Sequence, residues 1–230
     1  MFSDYSADQA IIARDYIKGS SKKLYVVFPP YHNGSVVYKR LVKRLAKRGD
    51  TVLAYYFHDG VLQSDISKVR DSFEFISAKI LNDINEIIQS NQYESVVLAA
   101  MSLGNVPLSM IVKYIPNVSK IHMVVPSESL ARAIWKSAST RYIRTGLEKK
   151  GHDLPEVEAA WHNLAPSSHI DEFGSNDLKL YLSRTDKIIP PEYQVKLLED
   201  FKNHGSKVSG KKSVLGHKLL IIKFCLFARI

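Results

Sequence analysis

Short apolar runs recur along this chain at intervals long enough for a helix to lie between them. Five runs of six or seven residues carry apolar side chains at nearly every position, which is typical of strands buried on both faces of a sheet. They predict strands at 23–28, 51–57, 95–100, 120–125 and 178–183. A sixth strand, with fewer apolar residues, is expected between 206 and 213.

The segments between these runs place apolar residues three and four positions apart, which is the spacing of an amphipathic helix. The longest such segment begins after Ser64, which is expected to cap the helix, and continues to Ile87. Further helices are expected over 35–48, 105–115 and 191–205, and a terminal helix begins near His217. The stretch QAIIARDYI, ahead of the first strand, is compatible with either a short strand or a helix.

The alternation of strands and helices defines the expected fold class. Buried strands separated by amphipathic helices predict an α/β protein with a mostly parallel central sheet of about six strands, flanked by helices on both faces. The length of 230 residues suits one domain over 1–230, and we find no repeat or linker. The segment 127–176 is irregular and partly helical, and we expect it to be a helical insertion that forms a lid.

The chain is basic, with a formal net charge of +9 and an isoelectric point near 9.4. Much of this charge lies in YKRLVKRLAKRGD, where basic and apolar residues alternate as on an amphipathic helix with one solvated face. A basic surface attracts polyanions. We expect no nucleic-acid partner because no recognised binding motif is present, whereas a weak association with an anionic surface stays open.

Several classes of protein are disfavoured by composition. The single cysteine, Cys225, excludes an internal disulfide framework, and no Cys/His pattern has zinc spacing, so we expect neither metal nor cofactor. The N-terminal residues lack the pattern of a signal peptide, and no apolar run is long enough to span a membrane. These features favour a cytoplasmic location. Nothing in the sequence indicates an oligomeric state.

Three reactive side chains follow predicted strands. Ser102 comes after the third strand, Asp186 after the fifth, and His217 after the last. In an open parallel sheet, ligands and catalytic groups gather at the carboxyl ends of the strands. Each residue alone also suits a turn or a helix start, but their shared position favours a catalytic role. His204 is the alternative histidine, although it lies at the end of a predicted helix.

The sequence around Ser102 resembles the nucleophile elbow of the α/β-hydrolase family. The family pattern is G-x-S-x-G between a strand and a helix, and this chain has Ala100-Met101-Ser102-Leu103-Gly104, with alanine in the first glycine position. The order Ser, Asp, His is also that of the family, and TDKIIPPEYQVKLLEDF resembles its acid loop. The resemblance extends from about Leu24 to the terminal helix and implies a trimmed N-terminus.

The resemblance implies roles for these residues. Ser102 would be the nucleophile, His217 the general base, and Asp186 the group that orients the imidazole. The oxyanion would be bound by backbone N–H groups, one from Leu103. The second would come from the loop FPPYHNGS, where the two prolines have no N–H, so that Tyr31 or His32 must supply it.

The substrate class is the least constrained expectation. The resemblance implies a serine hydrolase that cleaves a carboxylic ester or thioester of a small acyl substrate. Trp135, Tyr142 and Trp161 in the insertion are candidates for lining an apolar acyl pocket, and they would equally well pack the insertion onto the body of the protein. Two other classes stay open: a catalytically silent binding protein with this fold, and a basic protein that binds nucleic acid or a membrane.

Overall fold

A single seven-stranded sheet organises the protein in the computed structural model, which describes residues 6–31, 36–228 and 230. The strands are β1 Ile11–Ile17, β2 Lys23–Phe28, β3 Thr51–Phe57, β4 Ser95–Met101, β5 Val118–Val124, β6 Asp177–Ser183 and β7 Val208–Ser213. Their order across the sheet is β1-β3-β2-β4-β5-β6-β7. All neighbours are parallel except β1 and β3. The predicted α/β class with a mostly parallel sheet is confirmed.

Helices cover both faces of the sheet. They are α1 Val36–Lys47, α2 Ile66–Ser90, α3 Asn105–Ile111, α4 Leu130–Lys136, α5 Arg141–Lys149, α6 Leu154–Ala160, α7 Pro191–Asn203 and α8 His217–Phe227. One apolar core lies between the sheet and α1 with α8, and a larger core lies between the sheet and α2, α3 and α7. The inner strands β2 to β5 and much of β6 are therefore covered on both sides, which explains why they read as continuous apolar runs.

The sheet has one strand more than the expected six. Residues Ile11–Ile17, for which the sequence left strand and helix open, form β1 and pair antiparallel with β3. This strand lies at the edge of the sheet, and most of its side chains are exposed or half-buried. Its weak apolar pattern follows from that position.

Two helix boundaries differ from the expectation. The N-cap of α2 is Asp65, not Ser64, because the Asp65 carboxylate accepts a hydrogen bond of 3.2 Å from the Lys68 amide. Ser64 instead packs against α5, where a Cβ on Gly146 would lie 2.3 Å from the Ser64 Cβ. The helix expected over 105–115 is α-helical only as far as Ile111 and then continues as a 3₁₀ turn.

The segment 127–176 joins β5 to β6 and contains α4, α5 and α6, with 3₁₀ turns between and after them. It packs on the start of α2 and beside α3. Because β4, β6 and β7 are parallel, their carboxyl ends lie at the same edge of the sheet, and the segment lies at that edge too. In the described part of the chain, no helix is both long enough and apolar enough to cross a membrane.

Candidate active site

Ser102 occupies a strained turn between β4 and α3. Its φ angle is +49°, in a region that residues other than glycine rarely adopt. The turn begins directly after the buried end of β4 and forms a short 3₁₀ segment that ends at Gly104. Such a turn holds the serine side chain clear of the strand, at the carboxyl edge of the sheet.

Asn105 fixes this turn to the neighbouring strand. Its side-chain amide donates to the carbonyl oxygen of Ser102 at 2.8 Å and to that of Val124, the last residue of β5, at 3.3 Å. Asn105 is buried, and its hydrogen bond to Val124 is shielded from water. The strained serine is therefore held by the framework of the sheet.

The three side chains at the strand ends form one hydrogen-bonded chain. Nε2 of His217 lies 2.9 Å from Oγ of Ser102, and Nδ1 of the same ring lies 2.8 Å from Oδ2 of Asp186. Asp186 and His217 are both buried. His217 is the first residue of α8, directly after the last strand. The order serine, imidazole, carboxylate is the arrangement in which a histidine can take the serine proton.

Asp186 has four hydrogen-bond donors around its carboxylate. Oδ1 accepts from the amides of Ile188 at 2.8 Å and Ile189 at 2.9 Å, and Oδ2 accepts from the Gln194 side chain at 3.0 Å as well as from His217. These bonds fix the plane of the carboxylate.

Gln194 is not among the site residues predicted from the sequence. The residue is fully buried, and its carbonyl oxygen accepts a hydrogen bond from the Ser183 amide at 2.9 Å. A signal was present, because Gln194 is a polar residue on the same helical face as Leu197, Leu198 and Phe201. A polar side chain on an apolar face requires a buried partner.

An apolar cavity of about 70 Å³ lies beside Ser102. One face of α4 contributes three of its lining residues, Leu130, Ala133 and Ile134, at positions i, i+3 and i+4. Leu103, which follows the serine, and Ile189, in the acid loop, also line it. The small polar side chains that also line it are Ser127, Ser137 and Thr140. The cavity has room for a short, mostly apolar group next to Ser102.

The three aromatic residues suggested for this pocket do not line it. Trp135 lies one position beyond Ile134 on α4, about 100° away from the cavity face, and packs against the larger core. Trp161 is buried and donates from its indole N–H to the carbonyl of Ile66 at 3.0 Å. Tyr142 is mainly exposed. The tryptophans thus pack the insertion onto the body of the protein, which was the alternative interpretation.

Two of the three residues suggested as oxyanion donors border the cavity, and the third lies outside the described residues. Leu103 follows Ser102, is buried and lines the cavity. Tyr31 also lines the cavity, donates to the carbonyl of Asp59 at 2.9 Å, and lies 3.1 Å from the Tyr142 hydroxyl. Burial, and then the contact with Tyr142, raises the pKa of Tyr31 well above its usual value, so it stays protonated. His32 lies outside the described residues.

The alternative histidine, His204, lies elsewhere. It is exposed at the end of α7, where Nδ1 is 3.3 Å from Oδ1 of Asp171.

Among the residues that the structure describes, no group of three or more His, Cys, Asp or Glu side chains is placed to hold a metal ion.

Comparison with solved structures identifies similar folds. The acylaminoacyl peptidase of Pyrococcus horikoshii superposes with a TM-score of 0.68 over 92% of this chain, at 16% identity. The esterase Pf2001 of Pyrococcus furiosus gives 0.61 over 92% at 13% identity, and TT1662 of Thermus thermophilus gives 0.62 over 95% at 14% identity.

The neighbours differ in how much of their own length this chain covers. This chain spans 38% of the acylaminoacyl peptidase, 79% of the esterase and 99% of TT1662. No protein-family model matches the sequence, and no curated protein matches it. The likeness is thus one of structure, and it shows that this chain has the α/β-hydrolase fold.

Proposed function

We propose that this protein is a serine hydrolase that cleaves a carboxylic ester or thioester of a small acyl substrate. The observation that carries the proposal is the hydrogen-bonded chain from Ser102 through His217 to Asp186, with distances of 2.9 Å and 2.8 Å. The strained backbone of Ser102 and its position at the carboxyl edge of the sheet support the same role.

The geometry supports a two-step reaction. In the first step, Oγ of Ser102 attacks the acyl carbon, and Nε2 of His217 takes the serine proton. The same proton then passes to the leaving alcohol or thiol as its bond to the acyl carbon breaks. Asp186, held by its other donors, keeps Nδ1 of the ring protonated and stabilises the imidazolium. In the second step, Nε2 of His217 takes a proton from a water molecule that attacks the acyl carbon. The bond between the acyl carbon and Oγ of Ser102 then breaks, the proton returns to Oγ, and the carboxylic acid leaves.

The negative charge of each tetrahedral intermediate requires N–H donors. We assign one to the Leu103 backbone, because this amide follows the nucleophile and the residue borders the cavity. The second is assigned to the backbone of Tyr31 or His32. Each such donor contributes roughly 2.7–4 kcal/mol to transition-state stabilisation in enzymes of this kind.

The size of the cavity beside Ser102 favours a substrate with a small acyl group. Its walls are mainly aliphatic, and its volume of about 70 Å³ leaves room for only a few carbon atoms. Two structural neighbours carry names that describe an esterase and an acylaminoacyl peptidase, and both names are consistent with acyl transfer to a serine.

Covalent labelling tests the proposal. A fluorophosphonate should modify one residue, Ser102, as located by peptide mass spectrometry, and Ser102→Ala should abolish both labelling and hydrolysis of p-nitrophenyl acetate. The matched control is Ser127→Ala, which removes a different hydroxyl from the same cavity and should leave labelling intact. If the wild-type protein resists the probe and has no esterase activity, a catalytically silent binding protein becomes the better description.

A further inference from the structure

The helices α1 and α8 lie side by side on one face of the sheet. Leu41 and Leu45 of α1 and Leu220 and Phe224 of α8 are buried in the same apolar core. The Arg44 guanidinium joins the two helices by donating to the carbonyl oxygens of Leu226 and Ala228. Since both helices rest on one sheet face, their solvent sides point in the same direction, and we call this surface the α1–α8 face.

Both helices of this face are basic, and the acidic residues Asp15 and Asp59 lie only at its border, in the groove that Lys39 and Lys43 of α1 share with β1. Within their bounds, α1 contains five Lys or Arg residues and α8 contains two, whereas neither helix contains an Asp or a Glu. Arg40, Lys43 and Lys47 are exposed on α1, and Lys218 and Lys223 are exposed on α8. A solvated helix face usually mixes both signs of charge. The absence of acidic groups from both helices gives the face a strong positive potential.

An apolar row runs along the solvent side of α8. Leu219 is 56% exposed and Ile222 is 36% exposed, and Leu226, one turn further on, is partly exposed. These residues stand at positions i, i+3 and i+7, between Lys218 on one side and Lys223 on the other. Phe227, at the end of the helix, is 72% exposed. The helix therefore presents apolar side chains both to the core and to solvent.

We propose that the α1–α8 face binds the surface of an anionic lipid membrane. A helix that lies in the plane of a membrane inserts its apolar side chains among the acyl chains, and its lysines contact anionic headgroups. The row from Leu219 to Leu226 would insert, and the basic residues of α1 and α8 would surround it. This proposal does not depend on the hydrolase activity.

The charge and the apolar row favour a membrane over two other partners. A second copy of the chain, docked by the same face, would bring two sets of lysines together without acidic partners. A nucleic acid would satisfy the lysines but would leave Leu219 and Ile222 against a polar phosphate backbone. An anionic lipid surface offers charged headgroups to the lysines and acyl chains to the apolar row.

Co-sedimentation with vesicles tests this proposal on the whole protein. We expect the protein to sediment with phosphatidylcholine vesicles that contain phosphatidylglycerol and to stay in solution with phosphatidylcholine alone. Binding should weaken between about 0.1 M and about 1 M salt, where the Debye length falls from roughly 10 Å to 3 Å. Equal binding to both kinds of vesicle, or binding to neither, would overturn the proposal.

Two double variants separate the contributions of charge and apolar contact. Lys43→Glu with Lys47→Glu should lower the partition coefficient by about tenfold or more, since each basic residue near an anionic surface contributes roughly fivefold. Leu219→Ser with Ile222→Ser should also lower it by about tenfold. The matched controls are Lys149→Glu with Lys202→Glu, on α5 and α7, and Tyr114→Ser on the 3₁₀ turn after α3, all at exposed positions away from this face.

The outcomes distinguish the partners. If the serine variant binds vesicles as well as the wild type but the glutamate variant does not, the apolar row has no role and the proposal fails. If a DNA duplex competes fully with the vesicles and the serine substitutions do not affect DNA binding, the face is a nucleic-acid surface instead. Circular dichroism and thermal unfolding without vesicles should be the same for all these variants, which would show that they are folded whether or not the protein hydrolyses esters.

Discussion

The position of Gly104 is set by its contact with Pro29. A Cβ on Gly104 would lie 2.6 Å from the carbonyl oxygen of Pro29 and 2.8 Å from the carbonyl carbon of Phe28. Both contacts are with backbone, which cannot rotate away as a side chain can. The small residue two positions after the serine is therefore required because the turn after β4 passes directly over the end of β2.

Gly104→Ala should consequently disturb the turn that holds Ser102. We expect destabilisation by roughly 1–3 kcal/mol, as for other overpacked buried sites, together with a lower kcat because the serine shifts. Urea unfolding and esterase assays measure the two effects. Gly216→Ser is the control for stability, since its Cβ would meet only Thr185 at an ordinary 3.7 Å and serine suits this N-cap position of α8. Equal stability of the two variants would show that the contact with Pro29 relaxes at no cost.

Gln194→Leu tests whether the buried amide positions Asp186. We expect kcat to fall by about tenfold with little change in KM, because the carboxylate loses one of the donors that hold its plane. The Ser183 amide also loses its acceptor, at a cost of about 1–3 kcal/mol in stability. Glu199→Leu, an exposed change on the same helix, should leave both quantities unchanged. A purely structural role would lower stability and leave kcat as it was.

The cavity beside Ser102 should limit the acyl chain. Each buried methylene contributes about 0.8 kcal/mol, so kcat/KM for p-nitrophenyl esters should rise only until the cavity is full. Because its volume of about 70 Å³ is small, we expect the optimum at acetyl or propionyl. Leu130→Ala should move the optimum to longer chains, whereas Leu154→Ala, outside the lining, should not. An unchanged optimum in Leu130→Ala would exclude this cavity as the acyl site.

A pH dependence of stability follows from His122, a buried residue on β5. Burial, and then the charges of Lys120, Lys179 and Lys211, lowers the pKa of His122 to about 3, so the folded protein holds this ring neutral. In the unfolded chain the ring takes up a proton near pH 6.5. Between these values the unfolded state binds more protons, so stability decreases as the pH falls from about 6.5 towards 3.

Replacing the ring should remove this dependence. His122→Phe keeps an aromatic ring beside Tyr181 and Phe224 but does not titrate. Between pH 7.5 and 4.5, the wild type should lose about 2–3 kcal/mol more of its free energy of unfolding than the variant does. Urea unfolding at the two pH values measures the difference. Parallel losses in both proteins would mean that His122 does not stay neutral when buried.

The sequence predicted strand positions best where a strand is buried on both faces, and it predicted site residues best where a reactive side chain follows the end of a strand. The five strands predicted from continuous apolar runs lie within about two residues of their expected positions. Such a run suits a strand that a parallel sheet buries on both faces. Ser102, Asp186 and His217 were placed at strand ends by the same pattern, and the structure brings them into contact.

The sequence was least informative where contacts come from distant segments. The half-exposed β1 carries no strong apolar signal, and Asp65 and Ser64 are equally good caps by residue type. The cavity lining depends on the rotation of α4, which places Ile134 towards Ser102 and Trp135 away from it. No local pattern shows that rotation, because it is set by packing against α5 and α6.

The most direct test of the proposed mechanism is the kcat for p-nitrophenyl acetate in Ser102→Ala, Asp186→Asn, His217→Ala and the double variant Ser102→Ala/His217→Ala. We predict that each single change lowers kcat by at least about 10³-fold and that the double variant is no worse than the worst single one, because the three residues act as a unit. His204→Ala should retain wild-type activity. Wild-type kcat in His217→Ala, or loss of activity in His204→Ala instead, would contradict the proposed mechanism.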